Sequence, residues 1–281
     1  MTQRIKTITL CADDYAQNIP ISEGIIQLAE QQRINATSCM VNSNVWRETS
    51  PALLPIKSTT WVGLHFNLTH GNALSSSWRK NYGTTFPGMG RLLGLSYLRR
   101  LNVNVVIAEL QAQIDAYTQS MNEYPDFIDG HQHIHQLPVI RDALLAVYAN
   151  LPSGISIRKT SHNGMDLFKA DGFPKRQLIA LLGGLAFKKR LTAQSTPVNT
   201  SFSGIYNFKE APNYRHYFQQ FLKHSQDDGL IMCHPGHYSE DVSDPLYRYR
   251  HHELNYLMSD DYLNDLKSYS FQLKGKGSKN G

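Results

Sequence analysis

The sequence predicts an α/β fold built on a mostly parallel sheet or barrel, and three observations carry that expectation. Short β-branched or apolar runs alternate with helical periodicities along most of the chain, as in successive βαβ units. The 281 residues suit one large core, since α/β barrels commonly use ~250 residues as a single domain. Polar clusters follow several strand-like runs, and in a parallel sheet those C-terminal ends share one face.

Taken in order, residues 6–11 (KTITLC) form the first expected strand, ending at Asp13 and Asp14. A helix over 20–32 puts Ile21, Ile25, Leu28 and Ala29 on one face, with a proline near its start. Strands are expected at 36–41 and 61–65, with a short helix at 46–54 between them. Glycines, prolines and serines over 70–100 suggest a long loop-rich excursion. Val106, Ile107, Leu110, Ile114 and Tyr117 give helical spacing to 103–121. A strand at 127–130, a helix at 138–149 with proline at its start and a strand at 155–158 follow. The stretch 160–207 reads as a second irregular excursion, with a helix at 175–189. A helix at 212–222, an apolar strand at 229–233, a loop over 234–244 and a helix at 246–258 complete the pattern. The Gly/Lys-rich end, 274–281, is expected to fray. With no internal repeat or linker, one domain over 1–281 is the simplest account.

Composition narrows the function. The chain is 41% hydrophobic and 18% charged, which excludes a disordered or coiled-coil protein. No apolar run approaches the ~20 residues of a membrane helix. Residues 1–6 are followed by no apolar signal region, which predicts a cytoplasmic location. Twenty-eight basic against 23 acidic residues leave a charge of +5. The basic groups are not interleaved with stacking aromatics, which argues against nucleic acid as a partner. Cys11, Cys39 and Cys233 lack CxxC spacing, so neither a disulfide framework nor a thiolate zinc site is expected.

The chemistry concentrates at Asp13-Asp14, His65, His131-Gln-His133-Ile-His135 and His234-Pro-Gly-His237. Side chains alternate along a strand, so both aspartates serve one site only where the strand gives way. A hard carboxylate with imidazoles suits a divalent metal and leaves positions open for water and substrate. In an extended segment His131, His133 and His135 would face one way, offering metal, acid–base or substrate roles. An isolated Asp pair would more often cap a turn; four clusters converging on one rim change that balance.

The blocks Cys-Ala-Asp-Asp-Tyr (11–15), Val-Gly-Leu-His-Phe-Asn-Leu-Thr (62–69), Asp-Gly-His-Gln-His-Ile-His (129–135), Met-Cys-His-Pro-Gly-His (232–237) and Tyr-Arg-His-His-Glu-Leu (249–254) resemble, in order and spacing, those of the YdjC-like (ChbG-type) carbohydrate deacetylases. The resemblance covers roughly 5–270 and is weakest over 70–125 and 160–210. It implies a TIM-barrel-like (β/α) fold related to polysaccharide deacetylases. It also implies one divalent ion, magnesium or zinc, and hydrolysis of an N-acetyl group from an amino sugar. By match, Asp14, His65 and His131 would hold the ion, Asp13 would be the catalytic base, and His234 would lie near the active site. A homodimer is a further family expectation. Two departures stand out: Tyr15-Ala16 replaces the usual Phe-Gly, so the turn is expected to differ, and Gly130 replaces a common Ser.

The leaving amine needs a proton, and His234 is the favoured general acid, with His133 and His135 as alternatives. His133, His135, Arg158, Asn67 and Trp78 are expected substrate contacts, Trp78 by stacking on a sugar from its open loop. For Arg158 a structural ion pair with a site carboxylate is an equal alternative. Asp129 would orient a metal histidine. Tyr249 and Glu253 read as structural, through helix packing and an ion pair. Two rival readings are a sugar-binding or regulatory protein with a vestigial site and a different two-His-one-carboxylate metalloenzyme, such as a non-haem iron oxygenase. Chitooligosaccharides, phosphorylated sugars and glucosamine-bearing lipids such as hopanoids are the substrate candidates.

Overall fold

The computed structural model describes residues 4–161 and 183–277. Among these residues eight strands, all paired in parallel, make one sheet: β1 (Lys6–Tyr15), β2 (Ala36–Cys39), β3 (Trp61–Phe66), β4 (Phe127–Gly130), β5 (Ser156–Ile157), β6 (Phe202–Ser203), β7 (Gly229–Cys233) and β8 (Phe271–Leu273). The order is β5-β4-β3-β2-β1-β7-β6, with β8 beside the start of β1. Although β5 and β6 end the order on opposite sides, Ile157 N–H donates to Pro197 O at 3.0 Å. The Asn199 side chain also bonds both backbone groups of Lys159. The sheet is therefore curled until its edges meet, giving the TIM-barrel-like form.

Register explains the site. Cys11 pairs with Ala36, Ala36 with Trp61, and Phe127 with Ser156. Cys11, Ala36, Phe127, Phe202, Leu230 and Met232 form a separate apolar cluster, with Trp61 against it. We take this as the barrel interior, because the larger cluster packs the helices on the outside of the sheet. Phe127 needs the space over Gly63, where a Cβ would fall 2.4 Å from its ring. With a side-chain period of two, the next inward positions are Asp13, Ser38, His65, Asp129, Arg158 and His234. A polar layer thus sits directly above the apolar one, towards the strand C-termini.

Several expectations need correction. β1 extends through both aspartates to Tyr15, rather than ending at 11. The 70–100 excursion contains two helices, Ser76–Tyr82 and Met89–Tyr97. Trp78 is fully buried there, 4.9 Å from Tyr82 and 5.2 Å from Phe86 between ring centroids. It is core, not a sugar platform: Ser75 caps its helix by accepting from Trp78 N–H and turns the indole inward. The short β6 was not expected in 160–207. The helix expected at 175–189 lies partly outside the described residues, and within them a helix runs Leu185–Ala193. The 246–258 helix begins only at Arg250, and a second, Asp260–Ser268, precedes the unforeseen β8. Asn35 fills the gap between β2 and β8, accepting from Leu10 N–H and donating to the carbonyls of Ile8 and Lys274. No helix among the described residues is long and apolar enough to cross a membrane.

Trp78→Ala should cost about 3–5 kcal/mol, as for other aromatic truncations in a core. Chemical denaturation of the variant checks this, with metal affinity expected to stay unchanged.

Candidate metal centre

Asp14 belongs to β1 but not to its alternation. The register between β1 and β2 shifts between Ala12 and Tyr15, and Asp14 has φ +68°. This bulge swings the Asp14 carboxylate to the same rim as Asp13, which a regular strand would forbid. Ala16 also has φ +67°, so the turn is retained despite the missing glycine, at the strain a Cβ brings in this region. Ser22 Oγ accepts from Ala16 N–H at 3.0 Å and helps hold it.

Oδ1 of Asp14 lies 3.2 Å from His65 Nε2 and 2.9 Å from His131 Nδ1. The three donor atoms fall within 4.8 Å of one another. His65 Nδ1 donates to Asp129 Oδ1 at 2.6 Å, and Ser38 Oγ is 3.0 Å from the same nitrogen. In the neutral ring Asp129 thereby fixes the proton on Nδ1, which leaves Nε2 as the nitrogen that could act as a ligand. Asp13 is held bidentately by Arg158, with both N–O distances 2.6 Å, and the same guanidinium lies 2.6 Å from Asp129 Oδ2. On the other side Arg250 donates to Asp14 Oδ2 at 2.9 Å while Asp244 braces it.

The electrostatics follow. Burial alone would raise the Asp13 and Asp14 carboxyls, but Arg158 beside Asp13 and Arg250 and His131 beside Asp14 hold both well below the usual range. Burial works against a charged His65, yet Asp129, Asp14 and Asp13 outweigh it and push the imidazole up to about 10. His131 goes the other way: burial lowers it, and Asp14 only partly compensates. A buried ring that keeps its proton so firmly beside carboxylates marks a place short of positive charge. With both imidazoles neutral, as metal ligands must be, four carboxylates (Asp13, Asp14, Asp129, Asp244) against two guanidiniums (Arg158, Arg250) leave a charge of −2, which the second proton of His65 partly offsets in the metal-free protein and a divalent cation would cancel. Charge and donor set both fit such an ion. The second acidic grouping, Cys11, Asp13 and Asp129, already has its cation in Arg158.

A pocket of about 300 Å³ opens on this centre, with Asp13, Asp14, His65 and His131 at one end and Ile205, Phe208, Met232 and Leu246 among its walls. His133 and His234 also line it, and the Nδ1 of each is buried without a hydrogen-bond partner. Burial, first, and the neighbouring His135 and Arg158 keep His133 well below the ordinary imidazole range. The ring of His234 stands edge-on to Phe208 at 5.2 Å. Its backbone N–H donates to Glu253 Oε2, and Tyr206 OH donates to Glu253 Oε1, each at 2.6 Å. Glu253 therefore ties down the His-Pro-Gly loop by hydrogen bonds, not by an ion pair, and burial pushes its carboxyl up.

The other expected contacts lie elsewhere. The His131–Gln136 segment is a tight turn, not an extended strand, with Gln132 at φ +53° and His133 at φ +60°. Its three histidines consequently diverge. His135 is fully buried, bonded through Nε2 to Arg158 O, and does not line the pocket. Gly130 makes room for it, since a Cβ there would meet His135 Nδ1 at 2.8 Å. Asn67 is also fully buried; its oxygen accepts from Thr69 and His70 N–H, and its amide donates to Asn42 and His70 O. Neither Asn67 nor His135 has an atom left facing the cavity. Arg158, 2% exposed, takes the ion-pair role. Arg250 and Asp244 were missed, although Arg250 stands within the Tyr-Arg-His-His-Glu-Leu block.

Fold and site together define a barrel-like α/β protein with a carboxylate–bis-imidazole centre at the strand C-termini. The YdjC-like protein family model matches residues 7–268, and the chain belongs to that family. It is 27% identical to the chitooligosaccharide deacetylase of Yersinia pestis (strain Pestoides F) over 245 residues, 82% of this chain and 81% of that one. It is 26% identical to the carbohydrate deacetylase of Danio rerio over 154 residues, 53% of this chain. The match spans about half the length of the vertebrate relatives, 49% for that protein and 43% for the Mus musculus carbohydrate deacetylase. In fold it is similar to an Enterococcus faecalis V583 protein provisionally described as a cellobiose-phosphate cleavage protein. The TM-score is 0.69 at 17% identity, covering 96% of this chain and 97% of that one.

Because the depressed Asp13 and Asp14 carboxyls stabilise the fold only while ionised, metal-free protein should lose stability as pH falls below about 4, the unfolded aspartate range. Arg158→Met should reverse the trend at Asp13: burial, no longer outweighed by the guanidinium, would raise its carboxyl, and stability would fall as pH rises from 5 to 7. Thermal melts across pH, on apoprotein, check both signs.

Proposed function

We propose that the protein is a metal-dependent hydrolase that removes an N-acetyl group from an amino sugar. The observation that carries this reading is the convergence of Asp14, His65 and His131 beside Asp13 at the end of one pocket. The names of the family relatives, carbohydrate and chitooligosaccharide deacetylase, support the same class of substrate.

Asp14, His65 and His131 would hold magnesium or zinc, which when bound supplies Lewis acidity for a water and for the amide carbonyl. Asp13, kept ionised and oriented by Arg158, accepts the proton of the attacking water on a lone pair that the guanidinium leaves free. Asp129 keeps His65 in one tautomer throughout. The amine departs only when protonated. His234 lines the pocket, its buried Nδ1 has no hydrogen-bond partner, and it serves as the acid; His133 is similarly placed. The apolar walls exclude water from the acyl group and accept its methyl.

Acetate release, assayed across N-acetylated monosaccharides, chitooligosaccharides, phosphorylated amino sugars and glycolipids, tests the reaction. A chelator should abolish activity and added metal should restore it. No acetate from any member by metal-loaded protein would overturn the reading. Asp13→Asn should retain metal and lose about 10²–10⁴ in kcat, while His131→Ala should lower metal occupancy as measured by elemental analysis.

A further inference from the structure

Arg250 is absent from the expected site, yet its side chain is 2% exposed and touches the centre directly. The two oxygens of Asp14 are treated differently. Oδ1 faces both imidazole nitrogens, at 3.2 and 2.9 Å, whereas Oδ2 accepts from Arg250 at 2.9 Å. Arg250 cannot swing away. Its Nε donates to Asp244 Oδ2 at 2.6 Å and the same terminal nitrogen that serves Asp14 reaches Asp244 Oδ1 at 3.0 Å. Asp244 in turn accepts from Leu246 N–H at 3.0 Å within the pocket-rim loop. Gly236 lets the arginine pass, because a Cβ there would lie 3.3 Å from Arg250 Cδ and 3.2 Å from Ile21 Cα. The Asp244–Arg250–Asp14 chain is a buried strut from the pocket rim to the bulged carboxylate.

We infer that Arg250 is a positioning residue that restricts Asp14 to one-oxygen ligation of the ion, by occupying the carboxylate's second oxygen. This rests on the metal reading above. A carboxylate can bind a metal through one oxygen or both; a guanidinium braced 2.9 Å from Oδ2 draws that oxygen away from a second metal contact and opposes a cation there by its own charge, which favours Oδ1 alone. The ion then keeps one more position for water or substrate than a chelating aspartate would leave it. A guanidinium suits this duty because its planar fork serves two carboxylates at once, which a lysine ammonium on one point cannot reproduce.

The test titrates metal-free protein with Co²⁺ and follows the visible ligand-field bands, whose intensity falls as coordination number rises. Arg250→Met, made with Asp244→Asn so that the Asp244 carboxylate is not left unpaired while Asp14 keeps its two imidazole neighbours, should show weaker bands. Its Co²⁺ affinity should fall about 10-fold or more, as for other residues that orient metal ligands. Arg250→Lys, which keeps the charge, should give intermediate bands. Bands unchanged from wild type in a folded variant overturn the inference, whatever the affinity; if the Met variant does not fold, the Lys variant decides alone. Failure of wild-type protein to bind Co²⁺ would instead overturn the metal reading on which the inference stands.

Discussion

The architecture of this rim depends on charge balance in a place water barely reaches. Asp13, Asp14, Asp129 and Asp244 are each 2% exposed or less, and a buried carboxylate survives as an anion only if paired and hydrogen-bonded. Arg158 answers Asp13 and Asp129; Arg250 answers Asp14 and Asp244. Both guanidiniums are shared, so each leaves its pair of carboxylates with a residual negative charge. The excess is concentrated where two imidazoles also point. A bound cation would cancel that excess, and the upward push on the His65 imidazole by its carboxylate neighbours expresses the same deficit.

The curled sheet makes this arrangement possible because it delivers inward side chains in layers. Cys11, Ala36 and Phe127, the last seated over Gly63, fill the lower layer with apolar volume, and the next residue of the same parity on each strand is polar. Polar groups packed against that apolar floor lose solvent on one side, which strengthens every Coulombic contact above it. Asp14 is the exception to parity, and its bulge puts two adjacent residues of one strand at one centre. The left-handed conformations at Asp14, Gln132 and His133 border the pocket, and that at Ala16 directly precedes the lining residue Gln17. Strain of this kind persists where surrounding structure over-determines it, and here the ion pairs and the Ser22 contact do so.

Much of the fold was legible because parallel strands buried on both faces read as apolar runs, and because amphipathic helices announce their period. β6 and β8 escaped notice since two or three residues carry no periodicity. Trp78 misled because glycines and serines around it suggested an open loop, whereas Ser75 is a helix cap. The three spaced histidines were legible as a site motif, but their expected shared direction assumed an extended backbone. Left-handed φ at two non-glycine residues leaves no trace in composition.

The sequence by itself determined which groups were available: a carboxylate pair, separated imidazoles and the strands that carry them to one rim. That much follows from local periodicity, which is written in the order of residues. Only the tertiary structure decided how those groups divide the work. Arg158 and Arg250 lie 145 and 236 positions from the aspartates they hold, and pairing over such separations is set by strand register and by the curl of the sheet. Asn67 and His135 turned inward for the same reason: backbone polar groups left unpaired by the turns claimed their side chains before any ligand could.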